Sequence, residues 1–141
     1  MKKVMFVCHG NICRSTMAEF MLKSMSDKYL VSSSGTSSEE VGNDTHYGTK
    51  KILDKYQINY TKRKAQQLTQ TMYDEYDYII CMDQNNINNI KRLLNSSGKE
   101  TKLLDYLNLN RDISDPWYTN DFETTYDDIK VGIEAFLKQD V

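Results

Sequence analysis

Val4-Met5-Phe6-Val7-Cys8-His9-Gly10-Asn11-Ile12-Cys13-Arg14-Ser15 is the stretch on which the fold turns. Val4 to Val7 is a short apolar run rich in β-formers, Cys8 to Asn11 interrupts it, and a helical period follows with Met17, Phe20, Met21 and Met25 on one face. The order is strand, loop, helix. Thr16 with Glu19 three residues later fits a capping box and predicts a helix start at Ser15 or Thr16.

Outward from this unit the same alternation repeats. Tyr29 to Ser33 reads as a strand, and Ile52, Leu53 and Tyr56 as the inner face of a helix. A short helical turn near Thr69 to Glu75 precedes a buried strand, Tyr78 to Met82, and a helix follows with Ile87, Ile90, Leu93 and Leu94 inward. Lys102 to Leu104 reads as a fourth strand. Asn108 to Asn120 holds the only proline, in Asp115-Pro116, and reads as an ordered loop. Phe122, Tyr126, Ile129, Ile133, Phe136 and Leu137 mark a last helix. The pattern predicts an α/β fold: a parallel sheet of about four strands with helices on both faces, built as one domain over residues 1–141. Ligands bind such sheets at the carboxyl ends of strands, which places Cys8–Arg14 and Asp115 on one side.

The loop has the chemistry of an anion site. Gly10 and Asn11 most easily take the positive φ that turns amides inward, and the loop opens a helix, where N–H groups converge on an anion. Arg14 adds a planar fork for phosphate oxygens. The same field favours a nucleophilic thiolate at Cys8, with the Ser15 hydroxyl placed to donate to it. A free cysteine is more commonly an inert small hydrophobe; here the preceding strand, Gly10, Asn11, Arg14 and Ser15 weigh towards catalysis. Transfer of phosphate to a thiolate needs a proton for the leaving oxygen, for which Asp115 is the candidate, with Asp112 and Asp121 as neighbours that compete for the role.

Composition bounds the rest. A formal charge of −2 with scattered basic residues gives no general attraction for nucleic acid. No apolar run is long enough to span a bilayer, and the apolar start ends at Val7, so neither a membrane role nor export is expected. Three cysteines, Cys8, Cys13 and Cys81, make no disulfide framework and fit a reducing, cytoplasmic setting. A zinc site from Cys8, His9 and Cys13 lacks a second ligand pair, so no metal or other cofactor is expected. His46 reads as a surface loop residue.

Together, Val7-Cys-His-Gly-Asn-Ile-Cys-Arg-Ser15, Ser34-Gly35-Thr36, Tyr76-Asp-Tyr-Ile-Ile-Cys-Met-Asp83 and Asp115-Pro-Trp-Tyr118 make the chain resemble the low-molecular-weight protein tyrosine phosphatases over nearly its whole length. The resemblance implies a metal-free hydrolysis of protein phosphotyrosine through a cysteinyl phosphate. Cys8, Arg14 and Asp115 would be catalytic. His9, Gly10, Asn11, Ile12, Cys13 and Ser15 would form the substrate loop, and Trp117 and Tyr118 the pocket rim. It further implies a tyrosine-phosphorylated protein as partner, in bacterial members a tyrosine kinase among them, and inorganic phosphate as product. Cys13 matches a position close to the nucleophile, where a reversible disulfide protects the catalytic sulfur; a packing role is the alternative. Cys81 reads as core.

The departures from the family pattern lie around the motif. His9 stands where Leu or Thr is usual, Thr16 replaces a proline, and Glu39 or Glu40 stands where many members carry an aromatic wall, so a more open and more acidic mouth is expected. Arg63-Lys-Ala-Gln66 replaces a His-x-Ala-Arg pattern, and loss of a bracing His and Arg is the expectation there. Protein arginine phosphatases resemble one another in a Thr where this loop has Ile12, and thioredoxin-coupled arsenate reductases need cysteines downstream that this chain lacks. A phosphate-binding module without turnover is the reading from a different class.

Overall fold

The computed structural model describes residues 1–140. In chain order it contains β1 (Lys2–Cys8), α1 (Arg14–Met25), β2 (Tyr29–Gly35), α2 (Tyr47–Lys55), α3 (Gln70–Glu75), β3 (Tyr78–Cys81), α4 (Gln84–Leu93) and β4 (Thr101–Lys102). A 3₁₀ turn (Leu103–Leu107), α5 (Pro116–Thr119) and α6 (Phe122–Gln139) complete it. The sheet is parallel throughout, in the order β2-β1-β3-β4.

β1 is central and covered on both faces, which is why Val4–Val7 has no polar member. Val4, Phe6 and Cys8 pack with Met17, Phe20 and Met21 of α1 and with Ile129, Ile133 and Phe136 of α6. Met5 and Val7 point the other way, to Tyr73 of α3 and Ile87 and Ile90 of α4. At its carboxyl end β1 places Cys8 opposite Gly35. A Cβ on Gly35 would stand 2.6 Å from the His9 carbonyl oxygen, so the loop after β1 can fold back over β2 only because that residue is glycine.

The structure corrects several boundaries. α1 begins at Arg14 and carries no side-chain cap. The expected capping box does not form because Thr16 donates to the Cys13 carbonyl and Glu19 turns sideways to accept from Ser33 and Lys23. Met25 lies exposed at the helix end, and on α4 Leu93 is exposed while Leu94 packs inward. β4 is shorter than expected. Leu103 and Leu104 both enter the core on the α6 side, which consecutive residues of a strand cannot do, and the 3₁₀ turn achieves it with Asp105 accepting the Lys102 N–H. The expected loop over Asn108–Asn120 contains the one-turn helix α5.

Gly132 in the middle of α6 faces the Leu103 side chain, whose Cγ would lie 2.5 Å from an added Cβ. Gly→Ala inside a helix normally gains about 1 kcal/mol, but overpacking a closed core costs about 1–3 kcal/mol. The clash outweighs the gain because Leu103 is fully buried. Gly132→Ala is therefore expected to lower the denaturation midpoint, and a thermal melt with unchanged or raised Tm would contradict this packing.

Candidate active site

A cavity of about 110 Å³ opens at the carboxyl end of β1. Cys8, His9, Gly10, Ile12, Cys13 and Arg14 line it from the first loop, Asp115, Trp117 and Tyr118 from the segment around α5, and Glu39 and Glu40 from the turn after β2. Asn11 and Ser15 are fully buried and stand behind the loop rather than on the cavity. Asp112 and Asp121 do not line it. Asp112 accepts from the Gln84 N–H and Lys102, and Asp121 caps α6. Trp117 and Tyr118 are largely exposed at the rim.

The loop presents donors to the cavity. Among the described residues the N–H groups of Gly10, Ile12 and Cys13 meet no protein acceptor, and the first turn of α1 lacks a side-chain cap. Donors left open in this way are what an anion at a helix start requires. Cys8 Sγ lies 3.3 Å from the Asn11 N–H and 3.0 Å from Ser15 Oγ. Ser15 Oγ already accepts from Asn11 Nδ2 at 2.8 Å, so its own hydrogen is free to point at the sulfur.

Asn11 organises this geometry. Its backbone is left-handed, with φ 62°, and each of its side-chain atoms is held: Nδ2 donates to Ser15 and Ser33, while Oδ1 accepts from Arg63 Nη2 at 2.7 Å and from the Gln66 N–H at 3.0 Å. Arg63 Nη1 also donates to the Asn11 carbonyl at 3.0 Å. The bracing expected to be lost with the His-x-Ala-Arg pattern is thus supplied by the Arg63 guanidinium and the Gln66 backbone. Burial lowers the Arg63 pKa from its ordinary value, against the opposing pull of Glu19, whose carboxylate is 3.8 Å from Nε, and of Cys8. The bracing roles of Arg63, Glu19 and Ser33 escaped the sequence reading; Arg63 sits in an aperiodic loop and reaches both the side chain and the carbonyl of Asn11, partners no motif records.

Arg14 is buried and anchored on one side. Nη1 donates to Asp83 at 2.8 Å and to the Ile113 carbonyl at 2.9 Å, and Nη2 lies 3.4 Å from Asp115 Oδ2. Burial opposes its charge, but Cys8, Asp83 and Asp115 together hold its pKa above the ordinary value. Asp115 has two tasks that its position before a proline did not separate. Oδ1 accepts the Trp117 N–H at 3.0 Å as the cap of α5, with Pro116 at the first helical position, and this leaves Oδ2 towards Arg14. At Cys13 burial, then the proximity of Cys8, pushes the thiol up to about 12.

Two measurements check this geometry. Asn11→Ala is expected to cost roughly 3 kcal/mol of stability, about 1 from the left-handed backbone and about 1–3 from stranded buried partners, and to weaken orthovanadate binding; a wild-type melt would refute the bracing role. A thiol held near 12 stays protonated until far above neutrality, so brief iodoacetamide treatment at pH 7.5 should leave Cys13 unlabelled while Cys8 is alkylated, and mass spectrometry reads the site directly.

The sequence model of low molecular weight phosphotyrosine protein phosphatases matches residues 3–140. The chain is 42% identical over 134 residues to the low molecular weight protein-tyrosine-phosphatase PtpA of Staphylococcus aureus, an alignment covering 90% of this chain and 86% of that one. Its backbone superposes on SP-PTP, a low molecular weight protein tyrosine phosphatase from Streptococcus pyogenes, with a TM-score of 0.92 at 42% identity, covering 100% of this chain and 94% of the other. YfkJ of Bacillus subtilis gives 0.90 at 36% identity, covering 99% and 94%. With the sheet order, the loop after β1 and these matches in agreement, the chain belongs to the low molecular weight phosphotyrosine protein phosphatases.

Proposed function

We propose that in this phosphotyrosine phosphatase Cys8 is the nucleophile, Arg14 and the loop amides hold the transferring phosphoryl group, and Asp115 is the general acid and base. The observation that carries the assignment is the convergence of the Cys8 sulfur, the Arg14 guanidinium and the Asp115 carboxyl on one small cavity. In the first step the Cys8 thiolate attacks phosphorus, the bond from phosphorus to the tyrosine oxygen breaks, and Asp115 gives that oxygen a proton. In the second step Asp115 takes a proton from water, the water oxygen attacks phosphorus, the sulfur–phosphorus bond breaks, and inorganic phosphate leaves. Arg14 and the inward N–H groups stabilise the equatorial oxygens in both steps. His9, Gly10, Ile12 and Cys13 complete the loop around the phosphate; Asn11 and Ser15 support it from behind, and Trp117 and Tyr118 flank the substrate ring. Ile12 on the cavity, in place of Thr, favours tyrosine over arginine phosphate.

Tyrosine-phosphorylated proteins are the substrates of the family. We infer that a bacterial tyrosine kinase is among the partners of this chain, a reading supported by relatives from Staphylococcus, Streptococcus and Bacillus. Residues 1–141 acting as one phosphatase domain is supported by the span of the family match. Within the described residues no helix is long and apolar enough to cross a membrane, and the low cysteine density supports a cytoplasmic setting.

The test is turnover of a phosphotyrosine peptide beside phosphoserine and phosphoarginine controls, in EDTA and reductant. Cys8→Ser is expected to abolish turnover, Asp115→Asn to lower kcat/KM about 10²–10⁴-fold, and Arg14→Lys about 10²–10³-fold. Full activity of Cys8→Ser, or binding of the peptide by the wild-type protein without turnover, would overturn the assignment.

A further inference from the structure

His46 is not the bland surface residue of the sequence reading. It is half-buried between the first loop and the segment that carries Asp115. Its backbone N–H donates to the Ile12 carbonyl at 2.8 Å. Its ring Nδ1 accepts the Gly48 N–H at 3.0 Å, capping α2, so the neutral ring carries its hydrogen on Nε2. The ring stacks on Tyr47 and Phe122, with centroids 4.5 Å and 5.4 Å away, and meets Trp117 edge to face at 5.6 Å.

These contacts form a path to the proposed acid. Ile12 belongs to the loop beneath the phosphate, and the Trp117 N–H is the donor that fixes Asp115 Oδ1. The other hold on Asp115 is Arg14 Nη2 at 3.4 Å, beyond good hydrogen-bond length. The direction of the carboxyl therefore depends on where α5 sits, and α5 is a single turn whose Trp117 is 56% exposed. On the side of the first loop the His46 ring meets that indole, with centroids 5.6 Å apart and the rings steeply inclined. The fit leaves little slack, since a Cβ on Gly48 would stand 2.3 Å from the Phe122 ring that stacks on His46.

We propose that the His46 ring is a positioning residue for Asp115, keeping α5 at a set distance from the phosphate loop through Trp117. The inference rests on the reading of Asp115 as the general acid. Acid catalysis matters most where the departing oxygen is basic, as for a phenol such as tyrosine, and least for 4-nitrophenolate, which leaves without a proton. Loss of the ring should therefore slow substrates unequally, which a general loss of folded protein does not do.

The experiment compares kcat/KM for phenyl phosphate and 4-nitrophenyl phosphate in the full chain and in His46→Asn, His46→Phe, Asp115→Asn and the His46→Asn/Asp115→Asn double variant. His46→Asn keeps an acceptor for the Gly48 N–H but removes the ring, whereas His46→Phe keeps the ring and removes the acceptor. The expected result for His46→Asn is a loss of about 10-fold on phenyl phosphate, with about 3-fold or less on 4-nitrophenyl phosphate. His46→Phe should stay within about 3-fold on both while melting at lower temperature. The double variant should be no slower than Asp115→Asn, because the ring acts through that carboxyl. Equal losses on both substrates, a wild-type rate for His46→Asn on phenyl phosphate, or multiplicative losses in the double variant would each overturn the inference. Asp115→Asn reports on the underlying reading separately: if it loses equally on both substrates, Asp115 is not the acid and the role of His46 falls with it.

Discussion

A single left-handed residue, Asn11, lets the chain leave β1, turn its amides towards one point and enter α1 within a few residues. An L-residue in that conformation costs about 1–2 kcal/mol, and the surrounding hydrogen bonds offset it. Arg63, Gln66, Ser15 and Ser33 all bond to the Asn11 side chain in a place with no water to replace them. Apart from Ser15 of α1, those partners come from β2 and from the loop before α3, so the shape of the first loop is underwritten in large part by elements that do not line the cavity.

Around this frame the charges are arranged unequally. Two guanidinium groups serve the loop, Arg14 within it and Arg63 bonded to Asn11, each paired with carboxylate. An isolated buried charge is costly, and pairing reduces the cost without removing the positive field at the sulfur. Arg14 is anchored by Asp83 and the Ile113 carbonyl through the same nitrogen, which fixes the plane of the fork before any substrate arrives. Preorganisation of this kind suits stabilisation of developing charge, because nothing need reorient during the reaction.

Much of this was legible in the sequence because it rests on local rules. The apolar run before Cys8, the helical spacing after it and the alternation of elements led to the parallel sheet, and strand polarity brought Cys8 and Asp115 to one end. What escaped has a common cause in tertiary override. The capping box at Thr16 and Glu19 is a sound local pattern that lost to Ser33 and Lys23 as partners for the carboxylate. Leu103 and Leu104 fit a strand locally but are needed on one side of the sheet. Arg63 and His46 act across loops through backbone and ring contacts, and such contacts have no spacing to read.

The Arg14 guanidinium and its partners Ile113 and Asp115 are separated by 99 and 101 positions along the chain. During synthesis at about 5–20 residues per second, the first loop therefore waits roughly 5–20 s for the groups that anchor its arginine. For most of that interval, until Asp83 has been made, the emerging chain carries the Cys8 thiol and the Arg14 guanidinium without its carboxylate partners. The Cys8 thiol is thus least covered while the chain is still being made, and the speed of translation between Arg14 and Asp115 governs how long that lasts.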